Sequence, residues 1–123
     1  MQYASVVVFQ SDPAAAQLVA TSLSRHFESV HVAPSPEDLR QTIARHRAKV
    51  VIVDIEPARL SDVESLHREF PSASIVCTHR LADEEMWSAV LTAGADDVLP
   101  PSDIPGILSS AVRNALASRG AAA

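Results

Sequence analysis

Two runs of β-branched residues, Val6-Val7-Val8 and Val50-Val51-Ile52-Val53, leave this chain few folds to choose from. Strands that are apolar at every position, rather than at every second one, are buried on both faces. Helices must then cover both faces of the sheet. The sequence supplies them. Asp12-Pro13 reads as a helix cap followed by Pro at the first helical position. Leu18, Val19, Leu23 and Phe27 then recur at helical spacing. Ser29-Val30-His31-Val32-Ala33 is a second short strand, and Ser35-Pro36 opens a helix with Leu39 and Ile43 on its inner face.

The third strand, Val50 to Val53, ends on Asp54. A weaker helix around Val63, Leu66 and Phe70 stops at Pro71. Ser74-Ile75-Val76-Cys77-Thr78 is the fourth strand. Glu84 to Ala93 is a helix with Met86, Val90 and Leu91 inward, and Gly94 is its left-handed cap. Asp97-Val98-Leu99 is a very short fifth strand. The last helix runs from Ile104 to Leu116 at i, i+3, i+4, i+7 spacing, and Gly120 with the three terminal alanines reads as a frayed end. Five strands alternating with five helices imply a doubly wound parallel sheet with right-handed crossovers.

Composition narrows the function classes. The chain has 123 residues, which fits one domain over 1–123 with an ordered core of about 4–118. The single cysteine, Cys77, excludes a disulfide framework within the chain. A net charge of −5, with nine Arg and one Lys, argues against a direct nucleic-acid surface. No apolar stretch approaches the roughly 20 residues that span a bilayer, and no signal layout is present at the N-terminus. The expectation is a soluble, cytoplasmic protein without a membrane partner. In doubly wound sheets the working site lies beyond the carboxyl ends of the strands. The candidates are therefore Gln10, Ser11 and Asp12; Pro34; Asp54, Ile55 and Glu56; Thr78 and His79; Pro100 and Pro101.

Four segments, in order and at matching separations, resemble the receiver domain of two-component response regulators. They are Val6 to Pro13, Val50 to Ile55, Ala93-Gly94-Ala95-Asp96-Asp97-Val98-Leu99, and Ile104 to Leu116. The resemblance implies a flavodoxin-like (CheY-like) five-stranded sheet with five helices and a signalling role in a phosphorelay. It makes Asp54 the phosphoacceptor candidate. It also implies departures. Two adjacent Mg²⁺-binding carboxylates of the family's acidic loop correspond to Gln10 and Ser11, with Asp12 at a third acidic position. The family lysine after the fifth strand corresponds to Pro101. Lys49, the chain's one lysine, precedes the third strand and lies at the opposite end of the sheet. The switch Ser or Thr falls on His79 by counting back from Gly94, or on Thr78 with a one-residue shift. The switch aromatic corresponds to Val98.

The resemblance thus implies a degenerate, pseudo-receiver module that is not an enzyme. It would act through protein contacts, with a sensor kinase, an output domain or a downstream regulator as partner. A homodimer through helix 4, strand 5 and helix 5 would use the same face, with Trp87 and Val98 as interface candidates. No cofactor is expected; Mg²⁺ binding is possible but weakened by the lost carboxylates. Two alternatives stand beside it. One is a working phosphoacceptor, phosphorylated on Asp54 by a histidine kinase, with His79 or Arg80 replacing the missing cation. The other is a small ligand- or metal-binding flavodoxin-like protein, with Asp54 and Asp12, joined by His79, as metal ligands. The absence of a Gly-rich loop after the first strand weakens a nucleotide reading. His26, His31, His46 and His67 show no ligand spacing and read as ordinary surface or strand-edge residues.

Overall fold

The computed structural model describes residues 3–56 and 58–122. The elements follow in strict alternation: β1 (Tyr3–Phe9), α1 (Pro13–Leu23), β2 (Phe27–Val32), α2 (Pro36–His46), β3 (Val50–Asp54), α3 (Leu60–Glu69), β4 (Ser74–Thr78), α4 (Glu84–Ala93), β5 (Asp97–Leu99) and α5 (Ile104–Ala122). The five strands form one parallel sheet in the order β2-β1-β3-β4-β5. This is the flavodoxin-like, CheY-like architecture expected from the strand–helix pattern.

The β-branched runs explain the layering. Successive side chains of a strand point to opposite faces. Val7, Val51, Val53, Ile75 and Cys77 enter one layer with Leu39 and Ile43 of α2, Val63 and Leu66 of α3 and Val90 of α4. Val6, Val8, Val50, Ile52 and Val76 enter the other with Val19 and Leu23 of α1 and Ile107 and Ala111 of α5. β3 is buried at all five positions, because it is central and covered on both sides.

Local chemistry sets the helix ends. Asp12 caps α1 by accepting from the Ala14 amide (3.1 Å), and Pro13 starts the helix. Ser35 does the same for α2, and Asp83 for α4. Gly94 ends α4 at φ +107°, where an added Cβ would meet His67 Cγ at 2.6 Å.

Several sequence expectations change. Phe27 does not extend the inner face of α1. The helix stops at Leu23, and Phe27 opens β2 with its side chain buried. Its helical spacing from Leu23 is incidental. Leu18 is 61% exposed and Leu91 and Leu116 also face outward, because the inner stripe of each helix is narrower than its run of apolar residues. Phe70 is the residue that ends α3 rather than a member of it. α5 continues through Gly120 to Ala122, past the expected end at Leu116, while Ala123 lies outside the described residues. Val98, expected on an interface face, is 6% exposed and belongs to the core layer beneath α4. Among the described residues, no helix is long and apolar enough to cross a membrane.

Candidate functional site

The carboxyl ends of β1, β3 and β4 bring Gln10, Ser11, Asp54 and Thr78 together. In the parallel register Asp54 stands beside Thr78, and paired residues of parallel strands share a face. Asp54, Thr78 and Gln10 are all buried, Asp54 at 3% exposure. A carboxylate this deep must be hydrogen-bonded. Asp54 Oδ2 accepts from the Ser11 hydroxyl (2.7 Å) and the Ser11 amide (3.2 Å). Its Oδ1 accepts from the Glu56 amide (3.1 Å). Two loops, one after β1 and one after β3, thus close on a single side chain.

Gln10 and Thr78 form the other half of the cluster. Gln10 Nε2 donates to Thr78 Oγ1 (3.0 Å) and to the Phe9 carbonyl (3.1 Å). Every buried side-chain nitrogen or oxygen among the described residues has a partner. Strand parity places Thr78, and not His79, on the side of Asp54. Of the two residues that sequence counting left open, Thr78 is the one the register of β3 with β4 sets beside Asp54.

His79 faces elsewhere. Its Nδ1 accepts from the Leu81 amide (2.9 Å), and its Nε2 lies 4.0 Å from Glu56 Oε1. Glu56 is held by Arg80, whose Nε donates to Oε1 at 2.6 Å. That hydrogen bond is the main reason the Glu56 carboxyl titrates below, and the Arg80 guanidinium above, its ordinary range. Asp54 adds to the effect on Arg80 through its charge. Arg80, Asp54, Ser11, Gln10, Asp12, Pro101 and Leu18 line one open cleft of about 410 Å³. Pro101 thus lines the same cleft as Asp54. Lys49 is remote: its amide bonds Ser5 O at the amino end of β1.

The donor set does not fit Mg²⁺. The ion needs several hard oxygens in an octahedral set, usually with one or two carboxylates. Asp54 already accepts three hydrogen bonds, the Gln10 amide group is engaged by Thr78, and Asp12 faces the α1 amides. The transition-metal set of Asp12, Asp54 and His79 is not assembled either. Among the described residues, no three His, Cys, Asp or Glu side chains gather as ligands. Adjacency in the loop order does not make side chains converge: Asp12 turns to its helix and His79 lies towards Glu56.

Sequence reading singled out Glu56 and Arg80 without pairing them, although a Glu and an Arg after neighbouring strands give that signal. It missed a contact between His31 and His46, whose rings stack. Those residues come from β2 and α2, and no periodicity links them.

No protein-family model matches the chain, and no curated protein matches it in sequence. Solved structures do match its fold. It superposes on NtrX from Brucella abortus, determined in complex with ADP, with TM-score 0.85 at 19% identity, covering 97% of this chain. The chain spans only 27% of the length of that protein. It is similar over 93% of its length to the N-terminal signal receiver domain of a two-component response regulator from Bacteroides fragilis (TM-score 0.82, 19% identity, 98% of that chain). It is also similar to the BeF3-activated N-terminal receiver domain of Klebsiella pneumoniae RstA (TM-score 0.77, 25% identity, 91% of this chain and 97% of that chain). The fold is that of receiver domains.

Proposed function

We propose that the chain is a receiver-like signalling module of two-component type whose phosphorylation site is degenerate, and that it works in the cytoplasm through protein contacts rather than catalysis. One observation carries this reading. The carboxylate at the phosphoacceptor position is filled by hydrogen bonds from its own neighbours, and the neighbours that would have brought in a metal are Gln10 and Ser11. Phosphoryl transfer needs fixed positive charge around the transferred group. Pro101 supplies none. The partner is a sensor kinase, an output domain or a downstream regulator. The face that remains for it is α4, where Trp87 is half-exposed and Leu91 follows one turn later. Exposed aromatics of this kind anchor protein interfaces.

The test is a titration with Mg²⁺ and beryllofluoride, followed by Trp87 fluorescence and by amide NMR signals around Asp54. The expected result is no saturable response in the folded protein. Saturable shifts that vanish in Asp54→Asn would overturn the reading.

A second reading has its own support. Arg80 lines the cleft that holds Asp54 and is ion-paired there with Glu56, while its side chain is largely exposed. A phosphoryl group on Asp54 would compete with Glu56 for that guanidinium. A working phosphoacceptor of this type predicts phosphoryl incorporation that is lost in both Asp54→Asn and Arg80→Ala.

A further inference from the structure

The imidazoles of His31 and His46 lie face to face, with centroids 3.4 Å apart and planes 7° from parallel. They tie the last residue of α2 to β2, an edge strand of the sheet. Neither ring is core and neither is free surface; both are half-buried. His31 Nε2 lies 3.2 Å from Ser29 Oγ, and Ser29 Oγ lies 2.7 Å from Ser5 Oγ. The stack is thereby anchored through β2 to β1.

The residue after His46 adds a second observation. Arg47 ends α2 at φ +50°, ψ +49°, the one positive-φ residue other than glycine among those described. A residue with a Cβ holds that conformation only where its surroundings fix it. The end of α2 is therefore strained, and a ring stack one residue away holds it down.

We propose that the His31–His46 stack is a proton-sensitive clasp that releases the last turn of α2 when the pair takes up a second proton. Two neutral rings stack, and so do one neutral and one charged ring. Two imidazolium ions 3.4 Å apart in a partly desolvated place repel strongly. The charges that neighbour the pair along the chain are mostly of the same sign. On α2 they are Arg45 and Arg47, and Lys49 precedes β3, all positive. Glu28 belongs to β2 and is exposed, and the β1 side chains beside Ser29 and His31, Ser5 and Val7, are uncharged. Burial, and then the charge of His46, lower the His31 pKa, and no carboxylate opposes them. The sign follows. A base held neutral by the fold contributes its stability above about pH 6.5 and loses it as pH falls through the folded-state value. The same geometry excludes a shared metal ion, since the nitrogen lone pairs of two parallel rings do not converge on one point.

Amide hydrogen exchange on the full chain tests the clasp. The Arg47 and Ala48 amides, both donated to Ile43 O, are the reporters. After correction for intrinsic rates, their protection should fall about tenfold or more between pH 8 and pH 5, one pK unit of differential proton binding being tenfold. The Ile52 amide in β3 should hold its protection. His46→Phe keeps a stacked ring without a proton and removes the charge repulsion, so its loss of protection between pH 8 and pH 5 should be several-fold smaller than that of the wild type. Unchanged wild-type protection across this range overturns the proposal, and so does the same pH dependence in His46→Phe. If that variant does not fold, His31→Phe poses the same question from the other ring.

Discussion

The Asp54 end of the sheet and the outer face of α4 follow opposite rules. At Asp54 every buried polar side-chain group is answered by a neighbour a few ångströms away. On α4 a half-exposed Trp87 and an outward Leu91 have no comparable cover, and Leu81 just before the helix is also exposed. A saturated polar cluster adds stability and rigidity and has little capacity left for a ligand. An uncovered aromatic adds nothing to the fold and has everything to offer a partner. On the proposed reading, the contrast assigns function to the α4 face and structure to the Asp54 cluster.

That contrast can be broken most severely by rebuilding the site. Gln10→Asp, Ser11→Asp and Pro101→Lys together restore carboxylates and a cation at the positions the family uses. Without Mg²⁺ the triple variant should melt earlier than the parent, because three carboxylates crowd one pocket. With millimolar Mg²⁺ its melting temperature should rise, by mass action on the folded state. Beryllofluoride should then bind at least about 100-fold more tightly than to the parent, the scale of one lost oxyanion contact. A variant that melts alike with and without Mg²⁺ would show that more than side-chain identity has been lost.

Removing the acceptor is the next largest effect. Asp54→Ala strips three donors of their partner, two of them on the exposed Ser11, which water can serve, so the expected loss is about 1–3 kcal/mol in urea denaturation. Thr78→Val removes one partner of Gln10 while leaving the Phe9 carbonyl, and should cost about 1 kcal/mol. An unchanged midpoint in either case would mean that the cluster is not the closed unit described. The smallest stability effect belongs to the other side of the comparison. Trp87→Ala should stay within about 0.5 kcal/mol of the parent, as surface substitutions do. It should nonetheless weaken binding to a cognate kinase or regulator, measured by pull-down with the purified partner. Cys77 sharpens the contrast chemically. Burial is the first cause that pushes its thiol up to about 12, so a thiol reagent at pH 8 should label it only as fast as the protein unfolds.

Much of this was legible in the sequence. The unbroken runs at Val6 and Val50 require a sheet covered on both sides, and the caps at Asp12, Ser35 and Gly94 mark helix ends through chemistry that acts over three or four residues. The place of Asp54, at the end of the most apolar strand, is a matter of counting. Where reading by spacing failed, two elements were competing for one residue. Phe27 fits the helical period of α1, but β2 takes it because it pairs with Tyr3 of β1. Val98 sits in the shortest strand with polar Asp97 before it, and only its pairing with Cys77 under α4 buries it.

By itself, then, the sequence determined the order of the elements, the parallel sheet and the set of residues at its carboxyl ends. The tertiary structure alone decided how that set is wired. Thr78 rather than His79 joins Asp54, because the register of β3 with β4 fixes which residue shares its face. Ser11 closes on Asp54, Glu56 turns to Arg80, and His31 stacks on His46. Each of these joins residues from different elements. Periodicity and capping are short-range and leave their mark along the chain. Register and side-chain pairing are set by packing across it, which no spacing in the sequence records.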